Sequence, residues 1–230
     1  MKYLIYQYYF SLPKNERTNH IMDDSNSYWE WSRKSIEAYS KKYNIEYKFM
    51  DERHPVSPFY SIFNPFTEGW AKDYDAVCWI DADFLATTHA KNVFDVSAND
   101  CISANFMNTQ NRWRGGGMFE WWKDKGHINS GVVVFPRAVY EHVEKWVSGD
   151  KLQKEFKNRT VLETSLGNFD QAIVNKIVRD HNKYKMLDDT YNYHLGRKPK
   201  EKRFDMNLIH YHRAHKPMLI KDFNDERILK

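Results

Sequence analysis

The sequence is poor in the residues that build several common kinds of protein. Only two cysteines occur in 230 residues, Cys78 and Cys101, in no ligand or redox spacing. That excludes a disulfide scaffold and a cysteine-based metal centre, and both read as buried thiols of a reducing compartment. No stretch approaches the roughly 20 apolar residues of a membrane-spanning helix. The first apolar run, Tyr3 to Phe10, is interrupted by Gln7 and is too short and polar for a signal peptide, so a cytoplasmic protein is expected. Glycine is scarce, and none lies in the stretch YQYYFSLPKNE that begins at Tyr6. The first strand is therefore not followed by the glycine-rich loop that a sugar nucleotidyltransferase would wrap around phosphate. A dominant charge is missing too. The net charge is +4 and the basic residues are scattered, apart from a short run from Arg197 to Arg203. That argues against a nucleic-acid partner and suits a small anionic ligand.

What the chain does have is rings: 15 Tyr, 14 Phe and 8 Trp. Some must fill a core. Others can stack on the flat C–H faces of sugars, and Trp113, Trp121 and Trp122 are candidates for such a platform. The patterning is that of an α/β protein. Lys2 to Tyr9 reads as a strand. Tyr28 to Tyr43 reads as a helix, with Ser27 and Glu30 at capping-box spacing. Ile45 to Met50 is a second strand, Tyr60 to Lys72 a second helix, and the apolar run Ala76 to Ile80 (AVCWI) a strand buried on both faces. Alternating strands and helices predict a mostly parallel central sheet flanked by helices. Further on, Asn105 to Gly117 reads as a loop, with Arg112, Arg114 and three glycines as a possible lid. Val132 to Phe135 reads as a strand, Val139 to Val147 and Phe169 to Arg179 as helices, and Met206 to Tyr211 as a late strand. No linker or repeat divides the chain, so residues 1–230 are expected to form one domain.

The chemistry concentrates in a few places. Asp81-Ala82-Asp83 follows directly on the AVCWI strand. In parallel sheets, ligands bind beyond the carboxyl ends of the strands. Two carboxylates one residue apart at such an end can both reach one hard divalent cation, Mn²⁺ or Mg²⁺. A bound cation can neutralise a diphosphate. The segment HYHRAHKP, residues 210 to 217, adds imidazoles that can ligate Mn²⁺ and a lysine that can meet a phosphate. His212 and His215 read as loop residues. Asn129 before Gly131 is a turn former or a ligand contact. Asp170 is a helix cap or a functional carboxylate.

Four motifs in order give the chain a resemblance: YDAVCWIDADFL, HINSGVVVF, FDQAIVN and HYHRAHKP. Together they resemble the retaining GT-A glycosyltransferases, nearest to glycosyltransferase family 8, and they extend over most of residues 74 to 217. The resemblance implies a GT-A (nucleotide-diphospho-sugar transferase) fold and a metal-dependent transfer. The sugar would pass from a UDP-sugar to a glycan or other hydroxyl acceptor, with retention at the anomeric carbon. It further implies that Asp81, Asp83 and His210 bind the metal and that Lys216 holds the diphosphate. Asn129 would touch the sugar, Asp170 and Gln171 would sit at the reacting face, and Tyr6, Gln7 and Tyr8, with Ala82, would cradle base and ribose. The chain departs from the family pattern at Asn64, where an arginine is usual, at Arg213 in place of glycine, and at Met218 in place of tryptophan. A non-catalytic carbohydrate- or nucleotide-binding module is the alternative, and it would have no need of the metal set.

Overall fold

The computed structural model describes residues 1–11, 27–107, 127–158 and 169–230. In chain order the elements are β1 (Tyr3–Tyr8), α1 (Tyr28–Lys42), β2 (Glu46–Met50), α2 (Asn64–Thr67), β3 (Ala76–Ile80), β4 (Phe84–Ala86), β5 (Ile102–Met107) and β6 (His127–Pro136). Then come α3 (Tyr140–Val147), α4 (Lys151–Asn158), α5 (Phe169–His181), β7 (Tyr184–Leu187), β8 (Tyr193–His194), β9 (Leu208–His210) and α6 (Lys216–Phe223).

The central sheet has six strands in the order β2-β1-β3-β6-β5-β7. Only β6 runs against its neighbours, antiparallel to both β3 and β5. The other pairings, β1 with β2, β1 with β3 and β5 with β7, are parallel. The expected mostly parallel α/β sheet is what forms.

Its two faces follow from side-chain alternation. Leu4, Tyr6, Val77, Trp79, Val133 and Phe135 pack on one face, against α2, α3 and α5. Ile5, Ala76, Cys78, Ile80, Val132 and Val134 pack on the other, against Ile36 and Tyr39 of α1. Every residue of β3 is buried, as the AVCWI run implies. Both cysteines are buried and free.

A second sheet of three short strands, β4-β9-β8, sits at the end of β3. It has a core of its own, with Leu85, Ile209, Tyr211, Leu219 and Phe223 packed together. Asp222 ties α6 down: it accepts from Arg203 Nε at 2.6 Å and Nη2 at 3.0 Å, and from the Tyr211 hydroxyl at 2.8 Å.

Several local expectations are corrected. Ser27 takes a left-handed conformation, φ 45°, and makes no side-chain cap. A cap residue needs extended φ/ψ to aim its hydroxyl at the helix, so the capping box does not form. The Tyr60 to Lys72 helix is broken into a 3₁₀ turn at Pro58–Phe63, the short α2 and another 3₁₀ turn at Trp70–Asp73. Pro65 opens α2, and Gly69 reverses the chain at φ 82°. Asn105 is not loop but part of β5, paired with Asn129 across a bulge. The late strand is limited to Leu208–His210. The lid expected around Arg112 to Gly117 and the three tryptophans 113, 121 and 122 lie outside the described residues.

Candidate metal centre

The two short strands β4 and β9 assemble the site. They pair antiparallel with Phe84 opposite His210. The Tyr211 amide donates to the Asp83 carbonyl at 2.9 Å, extending that ladder by one rung. From the other side, the Asp81 amide donates to the Gly131 carbonyl of β6 at 2.9 Å. The loop between β3 and β4 is thus held at both ends. Gln7 of β1 fixes its middle, because its amide donates to the Asp81 carbonyl at 3.0 Å and to the Ser32 hydroxyl at 3.2 Å.

Three side chains converge there. One ligand atom each from Asp81, Asp83 and His210 lies within 4.8 Å of the others. Asp83 and His210 are buried, and Asp81 is half-buried. Asp81 accepts from the Trp79 indole at 2.8 Å. Asp83 Oδ1 and His210 Nε2 are 3.3 Å apart but not aligned as a hydrogen bond. Among the described residues both are buried side-chain atoms with no hydrogen-bond partner. Orphaned polar atoms of this kind cost free energy unless something binds between them. Two carboxylate oxygens and an imidazole nitrogen are the donor set of a divalent cation such as Mn²⁺. The residues present therefore fit the metal that the sequence implies.

The electrostatics point the same way. Burial pushes the Asp81 carboxyl well above its ordinary range. The charges of Asp83 and Asp170 push it further, and Trp79 and Lys216 offset this only in part. Burial pushes Asp83 up as well, but His210, Lys216 and His212 outweigh it and hold Asp83 well below the usual carboxylate range. Two carboxylates this close do not both ionise readily without a cation between them.

Lys216, at the start of α6, brings its ammonium to 3.7 Å from Asp83. The same ammonium donates to the Tyr28 hydroxyl at 2.9 Å. Asp170 opens α5 beside Asp81, and burial raises its pKa against the pull of a Ser130 hydrogen bond. Gln171 accepts from the Ser130 amide at 3.4 Å. α5 is clamped to β6 by Asn175, whose amide accepts from Ile128 N at 2.9 Å and donates to Ile128 O at 3.2 Å. Tyr6, Gln7 and Tyr8 are all buried, so this strand lies beneath the site. Asn129 is half-buried, with its Oδ1 accepting from Gly131 N and Asn192 Nδ2.

Four neighbours carried no sequence signal. Trp79 looked like strand filling, and Tyr28 like a helix start. Asn192 and His194 reach the site only because two-residue β8 pairs with β9, His194 opposite His210. The His194 and His210 rings lie 4.9 Å apart, and His210 stacks on Phe84 at 4.4 Å.

No protein-family model matches the chain, and no curated protein matches it in sequence. Solved structures do match in fold. One is a glycosyltransferase involved in the glycosylation of the major capsid of PBCV-1, with TM-score 0.61 and 14% identity over 97% of this chain and 99% of that one. A second is the WbbM bifunctional glycosyltransferase, with TM-score 0.55 and 13% identity, of which this chain spans 50%. A third is the glycosyltransferase GlyE of Streptococcus pneumoniae, with TM-score 0.51 and 13% identity, of which it spans 61%. The mixed α/β architecture is the GT-A-like fold of these proteins.

Proposed function

We propose that the chain is a metal-dependent glycosyltransferase that moves a sugar from a nucleotide-diphosphate donor, UDP-linked by resemblance, to a hydroxyl of a glycan or other acceptor, with retention. One observation carries the reading: an Asp-Asp-His set, with Asp83 and His210 buried and each leaving one side-chain atom without a hydrogen-bond partner among the described residues, stands at the carboxyl end of β3 with a lysine beside it. The fold shared with solved glycosyltransferases supports it.

In this reading Asp81, Asp83 and His210 hold Mn²⁺ or Mg²⁺, which when bound offsets the charge of the leaving diphosphate. Lys216 adds a second positive charge at the phosphates, supplied where charge develops as the glycosidic bond breaks. Asp170 and Gln171, fixed by the Asn175 clamp, face the reacting side of the sugar. Tyr6, Gln7, Tyr8 and Ala82 back the wall against which base and ribose lie, and Asn129 lies at the sugar. The buried setting excludes water, which strengthens each of these interactions.

Calorimetric titration with UDP, with Mn²⁺ and then with chelator, tests the reading on the wild type and on Asp83→Ala. Binding that requires both the metal and Asp83 is expected. Binding that ignores the chelator and the substitution would overturn the metal assignment and favour a binding module.

A further inference from the structure

A short chain of amides runs from the backbone of β6 to the far nitrogen of His210. Gly131 N lies 2.9 Å from Asn129 Oδ1. Asn192 Nδ2 lies 2.6 Å from the same oxygen. Asn192 Oδ1 lies 2.9 Å from His210 Nδ1. Amide orientations and histidine tautomers are ordinarily matters of assignment. Here they follow from one atom whose role has no alternative. A backbone N–H can only donate, so the Asn129 atom facing Gly131 is the carbonyl oxygen. The Asn192 atom against that oxygen must then be the amino group. Its other end is an acceptor, and an acceptor facing His210 Nδ1 requires a proton there. In the neutral ring, Nε2 is left with a lone pair.

We infer that Asn192 is a positioning residue that fixes His210 as the Nδ1–H tautomer, so that the Nε2 lone pair points at the Asp81 and Asp83 carboxylates. The inference rests on the proposed metal site and specifies how this chain prepares it. It accounts for the orphaned Nε2, since a lone pair facing a carboxylate oxygen makes no hydrogen bond and suits a cation. It also accounts for Gly131. A methyl group at its Cα would come to 2.9 Å from Asn129 Oδ1, 3.2 Å from Asn192 Nδ2 and 3.2 Å from His210 Cε1. The relay packs across a bare α-carbon. Asn192 is itself buried, so water does not replace its contacts at low cost. Partners of this kind, behind a ligand histidine, are worth on the order of 10- to 100-fold in metal affinity.

The test reads the imidazole directly. Long-range ¹H–¹⁵N spectra of metal-free wild type, recorded with pH raised until the ring carries a single proton and with the His210 signals assigned by their loss in His210→Gln, report which ring nitrogen keeps that proton. A single Nδ1–H tautomer is expected. Asn192→Ala should give a mixture of tautomers and roughly 10- to 100-fold weaker Mn²⁺ binding by calorimetry. Asn129→Asp keeps the oxygen that accepts both bonds, and should keep the wild-type tautomer. An Nε2–H tautomer in the wild type would overturn the proposal without any variant having to fold. So would an unchanged single tautomer in Asn192→Ala. If the Nδ1–H tautomer is found but Mn²⁺ does not bind the wild type, the relay stands and the metal reading of the proposed function falls.

Discussion

Two buried carboxylates flank the chain's second sheet, Asp83 just before β4 and Asp222 on α6, and they are treated in opposite ways. Asp222 has 3% of its surface exposed and is saturated, with two bonds from Arg203 and one from Tyr211. Asp83 has 8% exposed and keeps one oxygen with no hydrogen-bond partner among the described residues, facing an imidazole nitrogen in the same condition. The first arrangement completes itself and holds α6 in place. The second leaves two facing polar atoms unsatisfied among the described residues, which is where the proposed cation would lie. The contrast teaches how a structural ion pair is told from a binding site when both are buried: by which atoms remain unsatisfied, not by burial or charge.

The largest effect should come from breaking the incomplete set. Asp83→Ala should reduce sugar transfer by roughly three orders of magnitude, about 4 kcal/mol of barrier. The urea midpoint should fall less than in Asp222→Ala, because Asp83 is held by the nearby positive charges of Lys216 and the imidazoles but one of its oxygens makes no hydrogen bond among the described residues. Donor-turnover assays and urea melts on the same preparation check both halves. Asp222→Ala should do the reverse. It strands Arg203 and the Tyr211 hydroxyl and should cost about 3 kcal/mol of stability, read as a fall in the urea midpoint. A large stability loss in Asp83→Ala, or none in Asp222→Ala, would erase the contrast.

Metal sharpens it. At a free Mn²⁺ concentration near 100 times its Kd, the wild type should gain about 2.7 kcal/mol of stability. Asp222→Ala should gain a similar amount, and Asp83→Ala almost nothing. Thermal melts with and without Mn²⁺ decide this.

His54 gives the smallest test, as the buried imidazole to set beside His210. Its Nδ1 accepts from Val56 N at 3.1 Å and Ser57 N at 3.0 Å, so its acceptor nitrogen is engaged. Burial pushes its pKa down from 6.5 to about 4. Between those values the unfolded chain takes up a proton that the folded chain refuses, so stability is lost as pH falls from 6.5 to 4. The loss should be about 2 kcal/mol. His54→Asn, which keeps an acceptor for the two amides, should flatten that slope in urea melts at pH 7 and pH 4.5.

The central sheet was largely legible because its signals are long. The AVCWI run and the Tyr, Ile and Leu of β1 mark their strands plainly, and Asp81 and Asp83 follow directly on the former, whereas β5 and β7 on the far side of the sheet were not read as strands. The roles of His210, at the end of β9, and Lys216, at the start of α6, came from the resemblance rather than from the elements that carry them. The second sheet was mostly not legible. Of its strands only β9 was expected, as part of Met206 to Tyr211, while β4 with three residues and β8 with two are too short for any pattern to distinguish strand from loop. Asn192 was missed for the same reason: its approach to His210 depends on β8 pairing with β9, a contact between segments that local sequence does not report. Ser27 misled because its cap spacing is right while its backbone conformation is not.

The rung between Asp83 and Tyr211 has a consequence for how the protein is made. The two aspartates leave the ribosome early and their imidazole partner late. At ~5–20 residues per second, on the order of ten seconds separate residue 83 from residue 210. A chain interrupted before β9 carries both carboxylates but lacks the strand that orders β4 and the nitrogen that completes the ligand set. On the proposed reading, the full Asp-Asp-His set for a cation exists only in chains that have reached β9.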